Sequence, residues 1–246
     1  MTVSVGYLGN GFSIIAGDTM VIKWRREKRK FIIEDNTKTV DKSELGHFGW
    51  VTTMGKARVC EIFRQYVKRY RFKTRNSIFD IFVKSMFDAE PEIGLSGATS
   101  SAIYSFNFFK DGILTMQVEK VGIEGRKRLT GENSLLVRPP KQTKRINLLI
   151  EKYTLLAKDI KDMHTGIYLV AKLIDDMSKL TKLINNSVNI GISSKWSDTE
   201  LIYMKVSANC KTIIKLYEKT WNLSELWMIQ RIENYGGIEN GISSNK

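Results

Sequence analysis

Residues 2–19 read Thr-Val-Ser-Val-Gly-Tyr-Leu-Gly-Asn-Gly-Phe-Ser-Ile-Ile-Ala-Gly-Asp-Thr. Val3, Val5 and Tyr7 alternate with Thr2, Ser4 and Gly6, the period of a strand whose two faces meet different surroundings. Gly9-Asn10-Gly11 supplies a turn, and Phe12, Ile14 and Ala16 resume the alternation. The stretch therefore predicts an N-terminal β-hairpin that ends on a carboxylate, Asp18.

Working outward, a loop rich in charge follows, and a short strand is expected near Lys38 to Lys42. His47 to Met54 reads as a buried strand ending at Gly55. Val59, Ile62, Phe63, Tyr66, Val67 and Tyr70 then fall at helical spacing from Lys56 onward. A second helix is expected from Asn76 or Ser77, both good caps, with Ile78, Ile81, Phe82 and Met86 on its apolar face. A second hairpin runs from Ser101 to Phe109 and from Ile113 to Val121 around Lys110-Asp111-Gly112; Tyr104, Phe106 and Phe108 alternate as a buried sheet face should. Residues 142–182 carry two more helices, with a break expected near His164-Thr165-Gly166. Strands at Val188 to Ser193 and Glu200 to Val206 follow, then one or two short helices from Ser207, and a fraying tail from Gly236. Helix pairs set between antiparallel hairpins predict a layered α/β sandwich with the helices outside two packed sheets.

Composition bounds the function. With 42% hydrophobic and 10% aromatic residues among 246, the chain is globular and can bury a sizeable core. No run of 18 apolar residues is present, so no membrane partner is expected, and the N-terminus lacks the basic n-region of a secretory signal. Cys60 and Cys210 form no metal or redox spacing, which fits a cytoplasmic location. The net charge of +13 comes from 39 basic against 26 acidic residues. It is spread along the chain, with local density at Lys23 to Lys30 and Lys68 to Arg75, and reads as solvated faces in preference to a nucleic-acid footprint. His47 and His164 are the only histidines, so neither a histidine-rich metal site nor a nucleophile-elbow triad is expected. No cofactor is expected either.

At Thr2 a resemblance enters. The opening run is similar to the start of proteasome β subunits and of the peptidase subunit of the bacterial two-component ATP-dependent protease. In those proteins the mature chain begins with threonine and reaches an aspartate sixteen residues later, the distance from Thr2 to Asp18. The order continues with Lys38-Thr39-Val40, with Thr52-Thr53-Met54-Gly55 before a helix, with Thr130-Gly131-Glu132-Asn133-Ser134, and with Ser187-Val188-Asn189-Ile190 after the last helix pair. The pattern departs at Met20, where the family often has arginine, and at Thr181 to Asn186, which lack the Asp-x-x-Ser-Gly-Gly run.

The resemblance implies an α+β, four-layer αββα sandwich of the N-terminal-nucleophile (Ntn) hydrolase type over residues 1–206, with a small C-terminal helical extension at 207–246. It also implies a chemistry. Thr2, exposed by removal of Met1, is the nucleophile, and its own α-amine is the base. Asp18 pairs with Lys38, the Gly55 N–H stabilises the oxyanion, and Ser134 holds the amine and relays protons. Lys30, before Phe31-Ile32-Ile33, remains a rival to Lys38. The implied function is a threonine peptidase acting on a peptide or protein substrate, as a homo-oligomer in the family's manner. A connectase-type transpeptidase using the same acyl-enzyme and a non-catalytic scaffold subunit are the alternatives.

Overall fold

A computed structural model describes residues 3–25, 30–35, 40–42, 48–69, 76–93, 99–129 and 131–220. Thr2, Lys38, His47, Thr130 and the tail from Gly236 lie outside the described residues.

The hairpin forms as β1 (Ser4–Gly9) and β2 (Phe12–Asp18), paired from Ser4↔Gly17 to Gly9↔Phe12. Gly11 takes φ +78° in the turn, where a side chain is disfavoured. The charged stretch expected as a loop instead forms a two-stranded ladder, β3 (Met20–Arg25) with β4 (Lys30–Asp35). Val21, Ile22 and Trp24 on one strand and Phe31, Ile32 and Ile33 on the other supply the strand preference that the charges obscured. Then come β5 (Val40–Lys42), β6 (Phe48–Met54), α1 (Ala57–Arg69) and α2 (Asn76–Ile93). The second hairpin is β7 (Ser101–Lys110) with β8 (Ile113–Gly122), followed by β9 (Gly125–Arg128) and β10 (Ser134–Arg138). The chain ends its described course with α3 (Lys144–Ala157), α4 (Met163–Leu180), β11 (Ser187–Lys195), β12 (Leu201–Asn209) and α5 (Cys210–Thr220).

Two five-stranded antiparallel sheets result, in the orders β10-β1-β2-β11-β12 and β5-β6-β7-β8-β9. Three apolar clusters define the layers. Val3, Val5, Tyr7, Phe12, Ile14 and Ala16 face α3, α4 and α5. Val51, Ala102, Tyr104 and Phe106 face α1 and α2 through Phe63 and Phe82. Leu8, Ile15, Trp50, Ile103 and Val118 fill the seam between the sheets. The architecture is thus the expected αββα sandwich.

The break between α3 and α4 falls at residues 158–162, earlier than expected. Asp162 caps α4, its Oδ1 accepting the N–H of Thr165 at 2.9 Å, so His164-Thr165-Gly166 is the first turn and not a break. Gly166 serves close approach: a Cβ there would stand 3.0 Å from the side chains of both Ile14 and Phe12. α5 continues the same core, with Cys210, Ile213 and Ile214 in the cluster and Tyr217 stacked on Tyr168 at 4.4 Å between ring centres.

The seam sets how the sheets lie on one another. A register irregularity between Phe48 and Val51 turns both Gly49 and Trp50 toward the facing sheet. Trp50 lies flat on Gly191, where a Cβ would come within 2.2 Å of its ring, and its indole N–H donates to the Ile192 carbonyl at 2.8 Å. Gly191→Val should therefore force the sheets apart. We expect a loss of about 1–3 kcal/mol or more, as for other overpacked cores, measurable as a lower midpoint in urea, whereas Gly112→Asn, in an open turn at φ +79°, should stay near wild type.

Candidate active site

Asp18 ends β2 and is completely buried. Its Oδ1 accepts the N–H of Val3 at 2.7 Å. Its Oδ2 accepts the N–H groups of Met20 and Asn185, each at 3.3 Å. One carboxylate therefore ties together the entry to β1, the entry to β3 and the loop between α4 and β11. Asn185 closes the arrangement further, its Nδ2 donating to Thr19 Oγ1 at 2.8 Å, while the Thr19 N–H donates to the Ser187 carbonyl at 3.0 Å.

Burial pushes the Asp18 carboxyl up to about 7 from an ordinary 3.8; the three N–H donors and the positive chain terminus pull the other way without cancelling it. The same region holds Cys210, whose thiol is pushed up to about 12 by burial first and then by the charges of Asp175 and Asp18. Burial also raises the Cys60 thiol. Neither cysteine is thus an activated nucleophile.

Gly55 stands between β6 and α1 at φ +120°. A Cβ there would lie 2.5 Å from the Cα of Ser100, whose hydroxyl accepts the N–H of Lys56 at 3.0 Å. The position is closed to any side chain, both by backbone conformation and by that contact. Gly55 and Asp18 sit at the same end of the sandwich. Gly49 lies against Ser193 and Trp50 against Gly191, so advancing along β6 toward Gly55 corresponds to moving back along β11 toward Val188, the partner of Asp18.

Ser134 is not brought to this end. It opens β10 opposite Leu8, whereas Ser4, next to the Asp18 anchor, faces Arg138. Four residues of strand separate the two levels, on the order of 13 Å. The Ser134 hydroxyl turns back to the Glu132 carbonyl at 3.5 Å, and neighbouring Asn133 accepts from the Tyr7 hydroxyl at 3.2 Å near the C-terminal end of α3. Ser134 matched the family in sequence order but lies at the other end of the β1–β10 ladder from Asp18.

Of the two lysines, only Lys30 lies among the described residues. Lys30 opens β4 opposite Arg25, five residues along β3 from Met20 and on the order of 17 Å away. Asp35, opposite Met20, and Val40, opposite Thr52, bracket the position of Lys38 in the chain. Sequence reasoning missed Asn185 and Ser100. Both act through contacts distant in the chain, and the only signal for Asn185 was its place before the Val-Asn strand.

No protein-family model matches the chain, and no curated protein sequence matches it. Solved structures do. The chain is similar to a Gly-1 mutant of Anbu from Hyphomicrobium sp. strain MC1, with TM-score 0.64 and 9% identity over 92% of this chain and 99% of that one. It is similar to Anbu from the same strain at TM-score 0.62 and 8% identity, covering 91% and 98%. Anbu (ancestral beta-subunit) from Yersinia bercovieri gives TM-score 0.62 and 8% identity, covering 90% and 95%. At such identities the likeness shows a shared fold over nearly the whole of both chains.

Two outcomes follow from the geometry. Because the folded carboxyl titrates near 7 and the unfolded one near 3.8, the folded protein holds a proton that the unfolded chain has released. Asp18's contribution to stability is therefore present below about pH 4 and is lost as pH rises to 7. Carbon-13 NMR of the Asp18 carboxyl should show the displaced midpoint, and Asp18→Asn should flatten that part of the stability–pH curve while leaving a backbone N–H poorly matched, at about 1–3 kcal/mol. Gly55→Ala should destabilise by more than about 1–2 kcal/mol from its backbone conformation alone and disturb the Lys56 amide signal.

Proposed function

We propose that the chain is an N-terminal-threonine amidohydrolase of the proteasome β-subunit type, cleaving peptide bonds through an acyl-enzyme on Thr2. The observation that carries the reading is the 2.7 Å bond from the Val3 N–H to Asp18. That nitrogen is joined to Thr2's own carbonyl carbon, so a fully buried carboxylate is fixed one peptide unit from the nucleophile. The fold shared with Anbu, described as an ancestral beta-subunit in the protein from Yersinia bercovieri, supports the same reading.

The mechanism uses this chain's residues as follows. Loss of Met1 exposes the Thr2 α-amine, with a pKa near 8. The amine takes the hydroxyl proton as Oγ attacks the substrate carbonyl. The Gly55 N–H, at the same end of the seam, receives the developing oxyanion; a single such donor contributes roughly 3–4 kcal/mol in other acyl-transfer enzymes. Collapse of the intermediate expels the leaving amine with the proton, and water then hydrolyses the ester. Asp18 holds the N-terminal strand in register and pairs with the Lys38 ammonium, which lowers the proton affinity of its surroundings. Residues 1–206 carry this chemistry, and the 207–246 extension braces it through α5. The substrate is a peptide or protein segment, and Ser134 takes no part at the amine.

Intact mass of the purified protein should show the chain without Met1. Incubation with an activated peptide ester should then add one acyl group, mapped to Thr2, and Thr2→Ala should abolish both the adduct and peptide cleavage. Lys38→Met should cut cleavage by about 100-fold or more, the scale of lost proton-transfer assistance, and Lys30→Met should leave it near wild type. Cleavage that survives Thr2→Ala, or a retained Met1 in active protein, would overturn the reading.

A further inference from the structure

The glycine at position 55 gives the proposed oxyanion donor no stiffness of its own. At φ +120° it occupies backbone space that other residues rarely enter, and a glycine without outside contacts passes easily between such conformations. Its surroundings therefore decide how its N–H is held. Upstream, Met54 is fixed in the ladder opposite Ser101. Downstream, the Lys56 carbonyl accepts the Cys60 N–H at 3.1 Å, which ties Lys56 to the first turn of α1. Between these two anchors stands Ser100.

Ser100 meets the junction twice. A Cβ at Gly55 would lie 2.5 Å from the Ser100 Cα and 2.6 Å from its Oγ, so the two residues are in direct contact. The Ser100 hydroxyl also accepts the N–H of Lys56 at 3.0 Å, and that bond fixes the plane of the peptide between Gly55 and Lys56. Ser100 is 1% exposed, whereas Gly55 is half-buried and Lys56 exposed. The serine thus holds the junction from the interior and leaves its outer side open to a substrate. Of the two consecutive N–H groups, Ser100 takes that of Lys56, so the donor given to the oxyanion is that of Gly55 alone.

Resting on the acyl-enzyme reading above, we propose that Ser100 is a positioning residue for it: by holding the Gly55–Lys56 peptide, it fixes the Gly55 N–H where negative charge develops. In the step concerned, Thr2 Oγ bonds to the substrate carbonyl carbon, the hydroxyl proton passes to the α-amine, and the electron pair of the C=O π bond moves onto oxygen. Atoms and charge balance with no reactant beyond the substrate. Because that charge exists only in the tetrahedral state, Ser100 contributes to the transition state and not to ground-state binding. Its influence runs through Gly55.

The test uses two ligands that differ in that charge. A peptide aldehyde adds Thr2 Oγ to its carbonyl and sets the resulting oxygen at the oxyanion position; the matching peptide alcohol cannot. In the Met1-free protein, Ser100→Ala should weaken inhibition by the aldehyde about 10-fold or more, the scale of a small misplacement, and leave the alcohol unchanged. Acylation by an activated peptide ester should slow by the same factor at saturation, with the half-saturating concentration unmoved. Ser100→Cys, whose thiol is a weaker acceptor, should fall between, and it carries the same comparison if Ser100→Ala does not fold. Hydrogen exchange at the Lys56 amide reads the contact without catalysis and should quicken in either variant. Aldehyde and alcohol weakened together, a ratio between them that does not move, or an unchanged Lys56 amide overturns the proposal. An aldehyde that forms no adduct on Thr2 of the parent protein would instead remove the acyl-enzyme reading, and the role given to Ser100 with it, even where the Lys56 amide responds as expected.

Discussion

A single buried carboxylate organises the end of this molecule where chemistry is proposed. Asp18 receives backbone N–H groups from three segments that are far apart in the chain: Val3, Met20 and Asn185. A buried carboxyl is costly unless such donors surround it, and here burial still outweighs them enough to lift its titration toward neutrality. The consequence is structural as well as electrostatic. The start of β1, the start of β3 and the loop before β11 cannot move independently, so Val3 is held at a fixed place beside the carboxyl and at the same end as Gly55.

The two sheets around this point are built on different terms. Their outer faces bury continuous apolar clusters against helices and supply most of the hydrophobic stabilisation. The inner seam is thinner and partly polar, held in register by Trp50 on Gly191 and by the indole bond to Ile192. The seam also buries small hydroxyl residues away from its middle, Ser4, Thr52 and Ser101 toward one end and Ser13, Ser105 and Ser193 toward the other.

Much of this was legible in the sequence, and the failures have physical causes. Alternation around Gly9-Asn10-Gly11 gave the first hairpin because one of its faces is uniformly apolar. β3 and β4 were hidden because charged residues interrupt Val21, Ile22, Trp24 and Phe31 to Ile33. Gly166 read as a breaker, yet its role is contact with Ile14 and Phe12, information that only the packed partner contains. At the site, Asp18 and Gly55 were named by the family resemblance, through the distance of one from Thr2 and the place of the other before a helix, and they lie at the same end of the sandwich. Ser134 could not be placed correctly, because its short run looks the same whichever end of β10 it occupies; the ladder to β1 decides that. Asn185 was marked only by its place before the Val-Asn strand, since neither its N–H bond to Asp18 nor its amide bond to Thr19 can be read without the fold.

In the proposed chemistry, a charged Asp18 beside the start of β1 also favours the ammonium form of the Thr2 amine. The most direct measurement is a nitrogen-15 NMR titration of that amine in the Met1-free protein, compared with the Asp18→Asn variant. The amine's midpoint should fall when the carboxylate is removed, because the ammonium loses the charge that favours it. An unchanged midpoint in a variant that keeps the parent fold would contradict it.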